Sequence, residues 1–408
     1  MLLPDKINEY VTSVSQQIRW KKARARVSQE ITNHIVDGRD SYMAQGLDEQ
    51  TATDKAITDT GDSMDIGLQL DRIHRPKPQW TMFAWVAAFA LMGLFISIVI
   101  FDNPHVTSSM VTQRIMITAV GVVIMMATYF ADFTILGKYP REICLGVGSL
   151  MAIIHGMNPL TTHFVVLNMG FQLETFALVL PVVFAPIIYI SRDKKYLGFL
   201  ACLLTYGLLC VVTLISDQLS GFIHFMIIGT ALMLIATAKN WFGINKLTGV
   251  VMVIIPHIIF FASMIFIFWN RSLPARMVGI IDPHSDPMGA GFATLQVREL
   301  LSNAVFLGEG VMPEFFPQAW LYSDYVLLTI IYRFGWLAFV MVMGALMLFI
   351  GTTTVRCMQQ KSGLGFFVSI AVVLTLSAQI FMYVIFNMGV PTYTRYLCKS
   401  AYADYMLN

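Results

Sequence analysis

From residue 80 onward the chain is a succession of apolar runs, near 80–101, 112–131, 142–157, 174–190, 196–215, 221–238, 247–269, 325–350 and 364–387. A hydrocarbon core about 30 Å thick needs about 20 such residues per helix, so the pattern predicts nine membrane-spanning helices. Lipid offers the backbone no hydrogen-bond partner, which leaves helix as the state for runs of this length. Charge is divided in the same way: 23 of the first 79 residues are charged, against 29 of the remaining 329. The expected fold class is all-α, a polytopic helical membrane domain over 80–408 behind a small cytoplasmic helical domain over 1–79. This composition excludes a soluble enzyme, a disordered chain and a secreted disulfide scaffold. The net charge of +2 comes with no dominant basic face, so no nucleic-acid partner is expected.

Orientation follows from the cations between the runs. With the prefix inside, the short inner loops carry Lys138, Arg141, Arg192, Lys194, Lys195, Lys239, Lys246, Arg356 and Lys361. The short outer loops at 102–110, 158–173 and 216–220 carry no Lys or Arg. The N-terminus is therefore expected in the cytoplasm, and the absence of an apolar h-region before residue 80 predicts an uncleaved first span. One long segment, about 270–324, falls outside. A loop of that length is more often functional than connecting. Nine spans also place the C-terminal tail outside.

The prefix reads as short amphipathic helices. Ile31, Ile35 and Val36 have helical spacing, Gly46-Leu47-Asp48-Glu49 leads into a capped helix over 48–58, and Gly61-Asp62-Ser63 ends it. Arg19, Lys21, Lys22, Arg24 and Arg26 are either a solvated helix face or a contact with anionic headgroups. Glu30, His34, Asp37, Gly46, Ala52, Ala56, Gly61 and Asp62 together resemble the small helical prefix domain ahead of some bacterial permease-type membrane proteins. That resemblance implies a regulatory or docking module.

Cys144, Cys202, Cys210, Cys357 and Cys398 form no metal-type spacing, and His105, His155, His163, His224, His257 and His284 show no i, i+4 pair. No metal site is expected. The outer segment holds Asp282-Pro283, Asp286-Pro287, Gly289, Gly291, Gln296, Gly308 and Gly310, and ends at Ser323-Asp324-Tyr325. Proline and glycine at this density predict a fixed, irregular backbone. An acid such as Asp324 at the mouth of a span is a functional candidate, and capping of the following helix accounts for it equally well.

These residues resemble the SEDS family, the FtsW/RodA/SpoVE-type peptidoglycan glycosyltransferases. Residues 291–310, Gly-Phe-Ala-Thr-Leu-Gln through Gly-Glu-Gly, align without gaps to its Gly-Tyr-Gln-x-x-Gln…Gly-x-Gly segment. Arg276 with Asp282-Pro283 and Asp286-Pro287-x-Gly resembles its Arg…Asp-Pro-x-x-Asp-Pro-x-Gly, and Tyr322-Ser323-Asp324-Tyr325 its His-Thr-Asp-Phe. Gly335 follows at the family spacing. Gln172-Leu173-Glu174 resembles a shortened Gln-Pro-Ser-Glu, and Asp217 the acid of Pro-Asp-x-Gly. Gln379, Gly389 and Pro391 echo the penultimate span. The sequence departs from the family at Ala177, where a Lys is usual, at Tyr332 and Arg333, where two acids are usual, and in lacking the closing motif and tenth span.

The resemblance implies a glycosyltransferase of the bacterial plasma membrane that polymerises a lipid-linked peptidoglycan precursor, in cell division, elongation or sporulation. It implies a class B penicillin-binding transpeptidase as partner. It also implies Asp324 as catalytic base, Arg276 and Arg298 facing pyrophosphate, and Gln296, Glu174 and Asp217 lining the substrate cavity. The Asp-Pro pairs with Gly289, Gly291, Gly308 and Gly310 would shape the loop. A divalent cation would enter with the substrate's pyrophosphate rather than in a site of the chain's own. The competing expectations are a non-catalytic scaffold, which the departures favour, and a flippase for the same precursor.

Overall fold

The computed structural model describes residues 5–74, 80–100, 108–131, 134–157, 163–166, 169–172, 177–215, 219–269, 281–289, 291–313, 316 and 325–390. The chain divides into two compact units, Met1–Ala87 and Ala88–Asn408.

The first unit contains α1 (Asp5–Gln17), α2 (Lys21–Ala44), α3 (Glu49–Thr60) and α4 (Ser63–His74). Ile7, Tyr10, Val14, Ile35 and Ala56 form its core, with Ile31 and Val36 packed against them. The predicted cap is present. Asp48 accepts the N–H of Thr51 at 3.0 Å, and Gly61 ends α3 with φ 101°. Those donated bonds hold the Asp48 carboxyl below the usual carboxylate range. The basic run is not one uniform face. Arg19 precedes α2 and donates its backbone N–H to Asp71, while Arg24 Nε donates to the Ile18 carbonyl at 2.7 Å. Arg26 pairs with Glu30 one turn on.

The larger part of the chain is a polytopic helical membrane domain. Its helices are α5 (Trp80–Ile100), α6 (Ser108–Phe130), α7 (Thr134–Lys138), α8 (Pro140–Met157), α9 (Leu180–Ser191), α10 (Lys195–Ile215), α11 (Leu219–Ala238), α12 (Lys246–Trp269), α13 (Phe292–Ser302), α14 (Val326–Phe334), α15 (Trp336–Met358) and α16 (Gly363–Asn387). Helix occupies part of each of the nine expected intervals. Among the described residues four helices are long and apolar enough to cross a membrane: Lys195–Leu214, Gly221–Ala238, Trp336–Met358 and Gly363–Asn387. Shorter apolar stretches are Trp80–Ile96, Ile115–Phe130, Leu180–Ser191 and Lys246–Phe260. A short antiparallel hairpin, β1 (His163–Val166) and β2 (Met169–Gln172), pairs His163 with Gln172.

The main core surrounds α9, whose residues Leu180, Val183, Phe184, Ala185, Ile187 and Ile188 are buried on every side among α8, α10, α11 and α16. A helix apolar all round belongs inside a bundle. Cys202 and Cys210 are small buried members of the same core. A second core joins Ile96, Val297, Leu300, Phe316, Tyr325, Leu328, Ile330 and Phe386. It ties α13 to the membrane helices.

One expected span is corrected. The apolar run at 325–350 is not one helix beginning at Tyr325, because Gly335 breaks it with φ 85°. Residues 326–334 form α14, a short helix whose Leu327, Leu328, Thr329, Ile330 and Ile331 are buried, and the membrane-length helix starts at Trp336. Hydropathy reads both pieces as one run, since burial in protein and burial in lipid select the same side chains.

Candidate functional site

The turn before α13 is built around its glycines. Ser285 N–H and its hydroxyl both return to the Asp282 carbonyl, the hydroxyl at 2.7 Å. This makes the 3-10 turn Pro283–Ser285. Asp286 O accepts the N–H of Gly289 at 3.3 Å and of Gly291 at 3.0 Å. A Cβ on Gly289 would strike the Asp286 carboxylate, and one on Gly291 would strike the Pro283 carbonyl. Gly291 is thus required by close approach of backbone rather than by dihedral angle, whereas at Gly289 the exposed Asp286 side chain could move aside. The two Asp-Pro pairs differ: Pro283 is buried, whereas Asp282, Asp286 and Pro287 are exposed.

After α13 the chain clamps the break at Gly335. Gly308 N–H donates to Phe334 O, and Gly310 N–H donates to Tyr332 O at 2.8 Å. In return Trp336 N–H donates to Val305 O and Leu337 N–H to Phe306 O, both at 3.1 Å. The first amides of α15 are therefore satisfied by this loop. Gly335 has no space for a side chain, since a Cβ would lie 2.5 Å from Phe306 O. Arg333, at a position where the SEDS resemblance leads one to expect an acid, faces Glu309 between the two glycines, with Nη1 4.0 Å from Oε1.

The start of α14 is capped from another helix. Leu328 N–H donates to Asn387 Oδ1 at 3.0 Å, and Val326 N–H donates to the Tyr383 hydroxyl at 3.2 Å. Two of the orphan amides of a helix N-terminus thus have partners on α16. Asp324, Arg276, Glu174 and Asp217 lie outside the described residues. The two other predicted substrate contacts, Gln296 and Arg298, are both on α13. Arg298 is exposed, and its Cγ lies 3.5 Å from where a Cβ on Gly389 would stand. Gln296 Oε1 is buried without a hydrogen-bond partner among the described residues, as is Thr294 Oγ1. Buried polar atoms of this kind call for a water or a ligand.

Sequence reasoning missed one constellation. Tyr206, Thr230 and His257 stand near the middle of α10, α11 and α12. His257 Nε2 lies 2.7 Å from the Tyr206 hydroxyl and 2.6 Å from Thr230 Oγ1, and Nδ1 lies 2.6 Å from Val253 O. With Nδ1 protonated, as the carbonyl contact requires, Nε2 accepts from either hydroxyl. Tyr206 reaches them because Gly229 leaves its ring room: a Cβ there would lie 2.5 Å from Cε2. Three residues on three helices leave no spacing signal. Among the described residues no group of three or more His, Cys, Asp or Glu could hold a metal ion.

No protein-family model matches the chain, and no curated protein matches it in sequence. The fold does have a counterpart. A chain of a peptidoglycan synthase complex, described as coordinating polymerization and crosslinking, is similar with a TM-score of 0.61 and 13% identity, over 78% of this chain and 89% of that one.

Proposed function

We propose that the protein is a membrane glycosyltransferase of the SEDS type, extending peptidoglycan glycan strands from a lipid-linked disaccharide precursor in the bacterial plasma membrane. One observation carries this reading. In the segment whose residues resemble the family motif, Gly291 and Gly310 stand where a Cβ would meet the backbone carbonyls of Pro283 and Asn303, in a chain folded like one of a peptidoglycan synthase complex. The likeness in fold is general, whereas the motif resemblance is specific to this segment.

In the proposed reaction an acceptor hydroxyl attacks the anomeric carbon of the donor. The new glycosidic C–O bond forms as the bond to the lipid pyrophosphate breaks, and the hydroxyl proton passes to Asp324. Pyrophosphate departs without an acid partner, and Arg298 with Arg276 faces its charge. Gln296 supplies a buried acceptor on the same helix as Arg298, and Glu174 and Asp217 complete the cavity. The case for Asp324 as base gains from α14. Of the amides that a side chain at 324 could cap, those of residues 326 and 327, the Val326 N–H is already bonded to the Tyr383 hydroxyl. A class B transpeptidase is the proposed partner, and any divalent cation comes with the substrate.

A flippase for the same precursor is the second reading, favoured by the Tyr206–Thr230–His257 cluster, since transporters carry polar sites near the bilayer midplane. Purified protein with lipid-linked disaccharide and a class B transpeptidase separates the two. Glycan chains from the wild type and none from Asp324→Asn support the transferase. Polymerisation unaffected by Asp324→Asn removes the base assignment, and precursor movement between leaflets without polymer establishes the flippase.

A further inference from the structure

The ends of α9, α11 and α16 meet in a corner of cations and aromatic rings that the proposed reaction does not use. Arg192, just past α9, lays its guanidinium 4.1 Å over the Tyr189 ring. Its Nη1 lies 3.6 Å from where a Cβ on Gly363 would stand, at the start of α16. Lys239, just past α11, holds Nζ 4.0 Å over Phe366. Trp241 stacks on Phe367 at 4.2 Å and meets Tyr189 edge-on at 5.8 Å. A cation that serves only to orient a span gains little from a fixed position, and ordering a long side chain costs rotamer entropy. Here both cations have a ring beneath them.

The backbone is shaped as well. Among the described residues, the non-glycine residues with positive φ are Asp193 (64°), Lys195 (49°) and Asn240 (55°). All three lie in the two turns of this corner, and Asp193 N–H joins those turns by donating to Trp241 O at 2.8 Å. Asp and Asn enter this region readily, but Lys195 persists there only where its surroundings fix it. The turns at 192–195, 239–246 and 359–362 together hold six Lys or Arg and one acid, Asp193, whose carboxylate lies 3.5 Å from Arg192 Nε.

We infer that this corner is a headgroup site for an anionic phospholipid, with Arg192 and Lys239 as its principal phosphate contacts. The rings stand at the ends of the membrane-length helices α11 and α16, the level at which Trp and Tyr meet headgroups. The anion most accessible to the two cations is therefore a lipid phosphate rather than an acidic protein. With its face on the Tyr189 ring and Nε toward Asp193, the Arg192 guanidinium keeps its Nη N–H groups for a phosphate, and basic pockets between membrane helices recognise such headgroups.

The test is native mass spectrometry of the full chain released from mixed micelles of phosphatidylglycerol and phosphatidylcholine. The wild type should retain phosphatidylglycerol over phosphatidylcholine, and Arg192→Gln/Lys239→Gln should lower that preference about tenfold. Arg192→Lys/Lys239→Arg should keep most of it, which separates loss of charge from loss of fold. Arg26→Gln, on the first unit, should keep all of it. Equal retention of the two lipids by the wild type overturns the site, as does an unchanged preference in the double Gln variant. Adducts of inorganic phosphate that displace phosphatidylglycerol would mean a free-phosphate site and also overturn it.

Discussion

Asn387 Oδ1 accepts the backbone N–H of Leu328 at 3.0 Å, and the Asn387 amide donates to Tyr383 O at 2.9 Å. The side chain is fully buried, so both bonds form away from water. The last residue of α16 therefore holds the first turn of α14, a helix that begins two residues after the proposed base in the sequence. Asn387→Leu should leave the buried Leu328 amide short of a partner, while the Tyr383 carbonyl keeps its helical bond. The expected cost is about 1–2 kcal/mol, measured by unfolding in detergent. Polymerase activity should fall by more than stability alone explains.

Gly335 and Gly308 both have positive φ but differ in their surroundings. A Cβ on Gly335 meets the Phe306 carbonyl, whereas one on Gly308 meets open space. Gly308→Ala should cost only the conformational term, about 1–2 kcal/mol. Gly335→Ala adds a clash with backbone and should cost clearly more. Comparing the two melting temperatures in one detergent checks the order, and equal losses would mean the clamp relaxes freely.

The helical bundle was legible because hydropathy and length are properties of single segments, and the Asp48 cap because its partner is three residues away. The loop glycines were recognisable as a motif, but their reasons were not. Gly291 is set by Pro283 O and Gly335 by Phe306 O, both contacts made only after folding. The break at Gly335 was hidden because α14 is as apolar as a span. The Tyr206–Thr230–His257 cluster was hidden because its members are 24 to 51 residues apart in sequence.

Arg298 is exposed on α13, so its charge contributes little to stability. If it faces pyrophosphate, Arg298→Gln should lower the polymerisation rate about 100-fold with an unfolding free energy within about 0.5 kcal/mol of wild type. Arg298→Lys should recover part of the rate, since a point charge replaces a fork of donors. Parallel assays of glycan synthesis and thermal unfolding make the comparison. Equal rates for wild type and Arg298→Gln would remove Arg298 from the site.

Tyr206 and Thr230 offer His257 Nε2 alternative donors, at 2.7 Å and 2.6 Å, so either alone can serve it. Tyr206→Phe keeps the ring packing against Phe184 and Phe225 and leaves Thr230 as donor. Thr230→Val leaves Tyr206. Each single variant should cost up to about 1 kcal/mol, in the range of interhelical hydrogen bonds within membranes. Together they leave a mid-span imidazole nitrogen without a donor from either helix. The double variant should therefore cost more than the two singles combined, with a coupling of about 1 kcal/mol in a double-mutant cycle. Strict additivity would show that His257 finds another partner, and that the cluster does not bind α12 to α10 and α11.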